Sequence, residues 1–112
     1  MTFRLTRKAE EDIIDIYIRG ARTFGPAQAD AYHRKLEETF RLLAEFPQVA
    51  RERTEISPPV RVHLCGAHII VYRADADGNV LIIRMRHSRE DWISNPSGVA
   101  EEQGSPPEEE QA

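Results

Sequence analysis

Residues 6–46 keep a helical period and break it once, at Gly25-Pro26. Ala9, Ile13, Ile16, Tyr17, Gly20 and Phe24 recur at three- and four-residue spacing before the break, and Ala29, Tyr32, Leu36, Phe40 and Leu43 after it. Proline is tolerated in the first turn of a helix and not in its interior. The break therefore ends one helix and opens a second, over about 27–46, which Pro47 stops. Two long amphipathic helices with so short a joint are expected to lie as an antiparallel hairpin. Thr6 is the expected N-cap of the first, with Glu10, Glu11 and Asp12 in its first turn.

After a polar connection over 48–59, closed by Pro58-Pro59, the period changes to two. Val60, Val62 and Leu64 alternate with Arg61, His63 and Cys65, as in a half-buried strand. Gly66-Ala67 turns into a second strand, His68 to Ala74, and Asp77-Gly78 supplies hairpin-turn chemistry before a third, Val80 to His87. Alternation on this last strand places Leu81, Ile83, Met85 and His87 on one face and Val80, Ile82, Arg84 and Arg86 on the other. Phe3-Arg4-Leu5 reads as a short opening strand. The expected fold is α+β, in the order β-α-α-β-β-β, with a helical hairpin on one face of a small antiparallel-rich sheet whose other face is partly open. One domain is expected over 1–98, followed by an acidic, disordered tail over 99–112.

The tail matters to the charge. Of the 19 acidic residues in this 112-residue chain, five lie there (Glu101, Glu102, Glu108, Glu109, Glu110), with no Lys or Arg beside them. The overall net charge of −4 therefore belongs to the tail, and the domain is near neutral. That argues against a broad basic platform for nucleic acid. Only Lys8 and Lys35 among the 15 cations are lysine, and arginine suits bidentate contacts to carboxylate or phosphate. The single cysteine, Cys65, allows no internal disulfide and fits a reducing compartment. With no secretory segment and no apolar run long enough to span a bilayer, the expected location is cytoplasmic, with no membrane partner. His33, His63, His68 and His87 have no short metal-ligand spacing, so neither metal nor cofactor is expected. Tyr17, Tyr32, Phe24, Phe40 and Phe46 are expected in the core.

The candidate site is the end of the last strand, Arg84-Met85-Arg86-His87-Ser88-Arg89-Glu90-Asp91-Trp92. Polar residues crowded at the end of a rigid strand are how a scaffold presents a site. Plainer roles stand beside the functional ones. Arg84 and Arg86 suit ion pairs with Glu90 and Asp91, His87 a satisfied edge position, Trp92 a packing plug, and Arg61 and Arg73 pairing with carboxylates across the sheet.

Four features in this order, Leu5 to Ile13, the Arg61 to Arg73 hairpin with its Gly66, the Asp77-Gly78 turn, and Ile83 to Trp92, resemble the toxins of bacterial type II toxin–antitoxin modules of the RelE/ParE superfamily, most closely its ParE branch. The resemblance covers about residues 3–96 and leaves the tail outside it. It implies a growth-inhibiting toxin of the plasmid-maintenance kind, held inactive by a cognate antitoxin in a hetero-oligomer, with DNA bound only indirectly through that antitoxin. ParE-like members poison DNA gyrase, which requires a binding surface and no catalytic residue. The candidate surface is Arg84, Arg86, His87, Arg89, Asp91 and Trp92, since Arg and Trp are enriched at binding hot spots. RelE-like members cut mRNA on the ribosome, and for that chemistry Arg61, Arg84, Arg86 and His87 are the available cations and acid or base. A homologue that only binds antitoxin is the third reading. The antitoxin is expected near the two helices and an exposed strand edge.

Overall fold

The computed structural model describes residues 2–88. The chain runs β1 (Phe3–Leu5), α1 (Arg7–Phe24), α2 (Pro26–Glu45), a 3-10 turn (Pro47–Val49), β2 (Glu52–Arg53), β3 (Val60–Cys65), β4 (His68–Ala74) and β5 (Val80–His87). The strands form one sheet in the order β1-β5-β4-β3-β2. Only the β1–β5 pair is parallel; the other three are antiparallel. The expected α+β order is present, with β2 added as a two-residue edge strand from within the polar connection. That strand carries no alternation for a sequence to reveal, because it is only two residues long and borders solvent.

Gly25 is both the last cap of α1 and the first of α2. Its N–H donates to Ala21 O and its carbonyl accepts from Ala29 N. Its φ of 95° with ψ of 158° is a conformation open essentially to glycine alone. Just beyond it Gly20 faces Ala29, where even an added Cβ would stand 3.8 Å from the Ala29 Cβ, so two small residues let the helices cross closely. The hairpin then lies on one face of the sheet. Leu36, Phe40 and Leu43 of α2 and Ala9 and Ile13 of α1 pack there on Cys65, Ile70, Tyr72, Val80, Ile82 and Met85. The opposite face has a smaller cluster, Ile56, Val60, Ile69 and Val71 with Val62 and Ile83, closed by the chain between β2 and β3.

Three sequence expectations are corrected. Phe24 and Phe46 are 67 % and 56 % exposed: Phe24 is the last residue of α1 and Phe46 the C-cap of α2, and neither belongs to the core cluster. Leu64 is 64 % exposed: it lies at the far end of β3, outside the small cluster that buries Val60. The simple alternation on β5 also fails. Tyr72 pairs with Ile82, but Val71 pairs with Arg84, so one residue of β5 is looped out of register at Ile83. Such a bulge reverses the faces of everything that follows. Val80, Ile82 and Met85 consequently share the helix-side core, a set that strict alternation splits.

Gly66 makes the β3–β4 turn at φ 62°, and a Cβ there would stand 2.7 Å from Cε1 of Tyr32. Gly66→Ala combines left-handed strain with a ring clash and is expected to cost about 2–4 kcal/mol. In a Tyr32→Ala background, where the ring is gone, the same substitution should cost only about 1 kcal/mol. Urea denaturation of the four proteins checks this, and equal costs in both backgrounds would refute the clash.

Candidate functional site

α1 and α2 diverge from the ends of β4 and β5 to leave a cleft of about 930 Å³. Ile13, Ile16, Phe24, Ala29 and Leu36 form its apolar walls, and Arg84 to His87 of β5 form part of its rim. A concave, largely apolar surface with polar groups at one end is suited to an inserted side-chain row of another protein.

Two polar constructions border the cleft. The first anchors Tyr32 of α2 to the β3–β4 turn. Its hydroxyl accepts from Ala67 N at 3.2 Å and lies 3.1 Å from Cys65 O and 2.7 Å from His68 Nδ1. The His68 ring in turn meets His87 edge-on, centroid to centroid at 5.5 Å. His87 thus belongs to an array of Tyr32, His68 and His87 at the cleft end. The second anchors β5. Asp12 of α1 accepts from Arg84 Nε at 2.6 Å and Nη2 at 3.0 Å, a two-pronged ion pair, and from the Met85 N–H at 3.0 Å. The Asp12 and Arg84 side chains are 16 % and 14 % exposed.

Of the expected site residues, Arg84, Arg86 and His87 fall within the described part, while Arg89, Asp91 and Trp92, with Glu90, lie outside it. Arg84 is committed to Asp12. Arg86 is buried to 4 % exposure and stands opposite Ile69 of the far-face cluster. His87 is half-buried on the cleft side. Of the nuclease set, Arg84, Arg86 and His87 border the cleft together and Arg61 lies apart from them. Arg61 donates to Ala50 O and pairs in register with Tyr72, whereas His87 pairs with His68, four residues along β4 and so about 13 Å away. Arg73 is exposed. Among the described residues no group of three or more His, Cys, Asp or Glu side chains is placed to hold a metal, and no helix is long and apolar enough to cross a membrane.

Tyr32, His68 and Asp12 were not singled out by the sequence as site residues. Tyr32 reads as one more position of the α2 stripe and Asp12 as an ordinary first-turn acid. The signal that distinguishes them is long-range pairing, which spacing along one element does not carry.

A helical hairpin on a five-stranded mixed sheet defines a small α+β fold, and that fold recurs in a chain of a chromosomal ParDE toxin–antitoxin system from P. aeruginosa, with a TM-score of 0.66 over 78 % of this chain and 95 % of the other at 22 % identity. The family model described as the ParE toxin of the type II toxin–antitoxin system, parDE, matches residues 3–92. The chain is 32 % identical to Toxin ParE1 of Caulobacter vibrioides over 76 % of its own length and 86 % of the relative's. It is 30 % identical to Toxin ParE of Escherichia coli over 80 % and 87 %. The chain belongs to the ParE toxin family of type II toxin–antitoxin systems. Its partner protein is accordingly an antitoxin.

Burial raises the phenol pKa of both Tyr32 and Tyr72, opposed at Tyr32 by the Ala67 N–H and at Tyr72 by the Ala50 backbone and Arg61. The folded chain therefore holds these protons more tightly than the unfolded one. Their contribution is fully present below about pH 10 and is lost as pH rises through the raised folded values. Tyr72→Phe removes one of these protons, so its urea midpoint should fall less steeply above about pH 10 than that of the wild type. Parallel slopes would count against this linkage.

Proposed function

We propose that this toxin acts in the cytoplasm by binding DNA gyrase and trapping it with cleaved DNA, and that its antitoxin prevents this by laying an amphipathic helix in the cleft between the hairpin and the ends of β4 and β5. The observation that carries the reading is the match to ParE toxins across residues 3–92, which includes the candidate surface on and after β5. The near-neutral domain supports a protein target over RNA. The separation of Arg61 from His87 also supports binding over RNA cleavage. The target surface proposed is the end of β5 and its continuation: Arg84, Arg86, His87, Arg89, Asp91 and Trp92. In it Arg84 and the buried Arg86 set the strand's position, while His87 and the three later residues make contact. The acidic stretch 99–112 has no role in this reading.

The test is purified toxin, free of antitoxin, incubated with gyrase, supercoiled plasmid and ATP. Linear DNA covalently linked to gyrase should accumulate, and His87→Ala and Trp92→Ala should reduce it about tenfold, whereas a chain ending at Gly98 should behave as the full chain. No cleaved DNA at micromolar toxin would overturn the gyrase reading, and cuts in mRNA in a parallel translation reaction would replace it with the nuclease.

A further inference from the structure

The outer edge of β5 is unusual. β1 pairs with it only through Phe3, Arg4 and Leu5, opposite Val80, Leu81 and Ile82. Beyond Ile82 no strand among the described residues lies on that side, yet this is where the bulge occurs. Side and main chain at the start of α1 take the missing strand's place. Thr6 N donates to Ile82 O at 3.0 Å. The Thr6 hydroxyl donates to Ile83 O at 2.7 Å while accepting from Ala9 N, so the helix cap and the strand edge share one oxygen. Asp12 then takes the Met85 N–H and both prongs of Arg84.

We infer that Asp12 is a positioning residue of the toxin: its carboxylate holds the bulged end of β5 and so fixes the faces on which Arg86 and His87 emerge. A bulge leaves backbone groups that a regular ladder would pair, and a part-buried N–H on that edge is costly unless it finds an acceptor. Asp12 supplies that acceptor, and its charge makes all three contacts charge-assisted. The pair with Arg84 spans the two layers, so α1 and the end of β5 cannot shift independently. The acidic residues beside it in the sequence do not share this role: Glu10 and Glu11 are exposed, and Glu11 pairs locally with Lys8. The part of this inference that concerns toxicity rests on the toxin reading; the part that concerns the bulge does not.

The experiment expresses the full chain from a titratable promoter and compares wild type, Asp12→Ala, Asp12→Asn, Arg84→Lys and Tyr72→Phe for growth arrest, with the melting temperature of each purified protein. The Met85 amide is followed by proton–nitrogen NMR. Asp12→Ala should raise the dose needed for arrest about tenfold or more. Asp12→Asn, which keeps an acceptor but loses the charge, and Arg84→Lys, which loses the fork, should fall between. Tyr72 flanks the bulge, but Tyr72→Phe keeps the ring and loses only the hydroxyl's bond to Pro47 O, so it should keep wild-type arrest despite a lower melting temperature. In the wild type the Met85 amide should exchange slowly, and that protection should vanish in Asp12→Ala. Wild-type arrest by Asp12→Ala, or loss of arrest in Tyr72→Phe in step with its melting temperature, would overturn the inference. So would a Met85 amide indifferent to residue 12, even if the wild type arrests no growth. A failure of the gyrase reading appears separately, as absence of cleaved DNA with the wild-type chain, and leaves the comparison among variants intact.

Discussion

The end of β5 depends on one carboxylate. β5 carries the core on its helix side through Val80, Ile82 and Met85, yet its outer edge is paired to a strand for only three residues. Past that point the strand would present unpaired backbone to solvent next to an apolar cleft. Asp12 and Thr6 close that edge from α1, and because both Arg84 and Asp12 are nearly withdrawn from water, their ion pair is screened little by solvent. The helix and the strand thereby fix each other, and the bulge between them is what brings Met85 back to the core after Ile83 has turned away.

The cleft follows from the same geometry. Gly25 folds the two helices against each other with no linker, and Gly20 against Ala29 draws them close near the tip. Phe24, the last residue of α1, stands exposed at the mouth of the cleft. Tyr32 ties α2 down at the β3–β4 turn, and Gly66 is there because no side chain fits under its ring. A surface of this kind is costly to leave in water, which suits a protein whose family works with an antitoxin.

Much of this was legible in the chain. The Gly25-Pro26 break, the Thr6 cap, the stripe through Leu36, Phe40 and Leu43, and the Asp77-Gly78 hairpin are local signals, and each stands where its spacing placed it. The family was legible in the order of four short features. The candidate site was less so. The sequence put Arg84, Arg86 and His87 together because they are adjacent, and the structure sends them to different partners. Arg84 goes to Asp12, Arg86 to the far face, and His87 to the array with His68 and Tyr32.

What the sequence determined by itself were the elements and their order, since period, caps and turn residues act over a few neighbouring positions. What only the tertiary structure decided were the pairings between residues some thirty to seventy positions apart and the single-residue bulge in β5. Alternation is a rule about one strand in isolation. Whether a strand keeps it depends on the partners along both its edges, and for β5 one of those partners is a helix whose acid gives no sign in the chain of which cation it will meet.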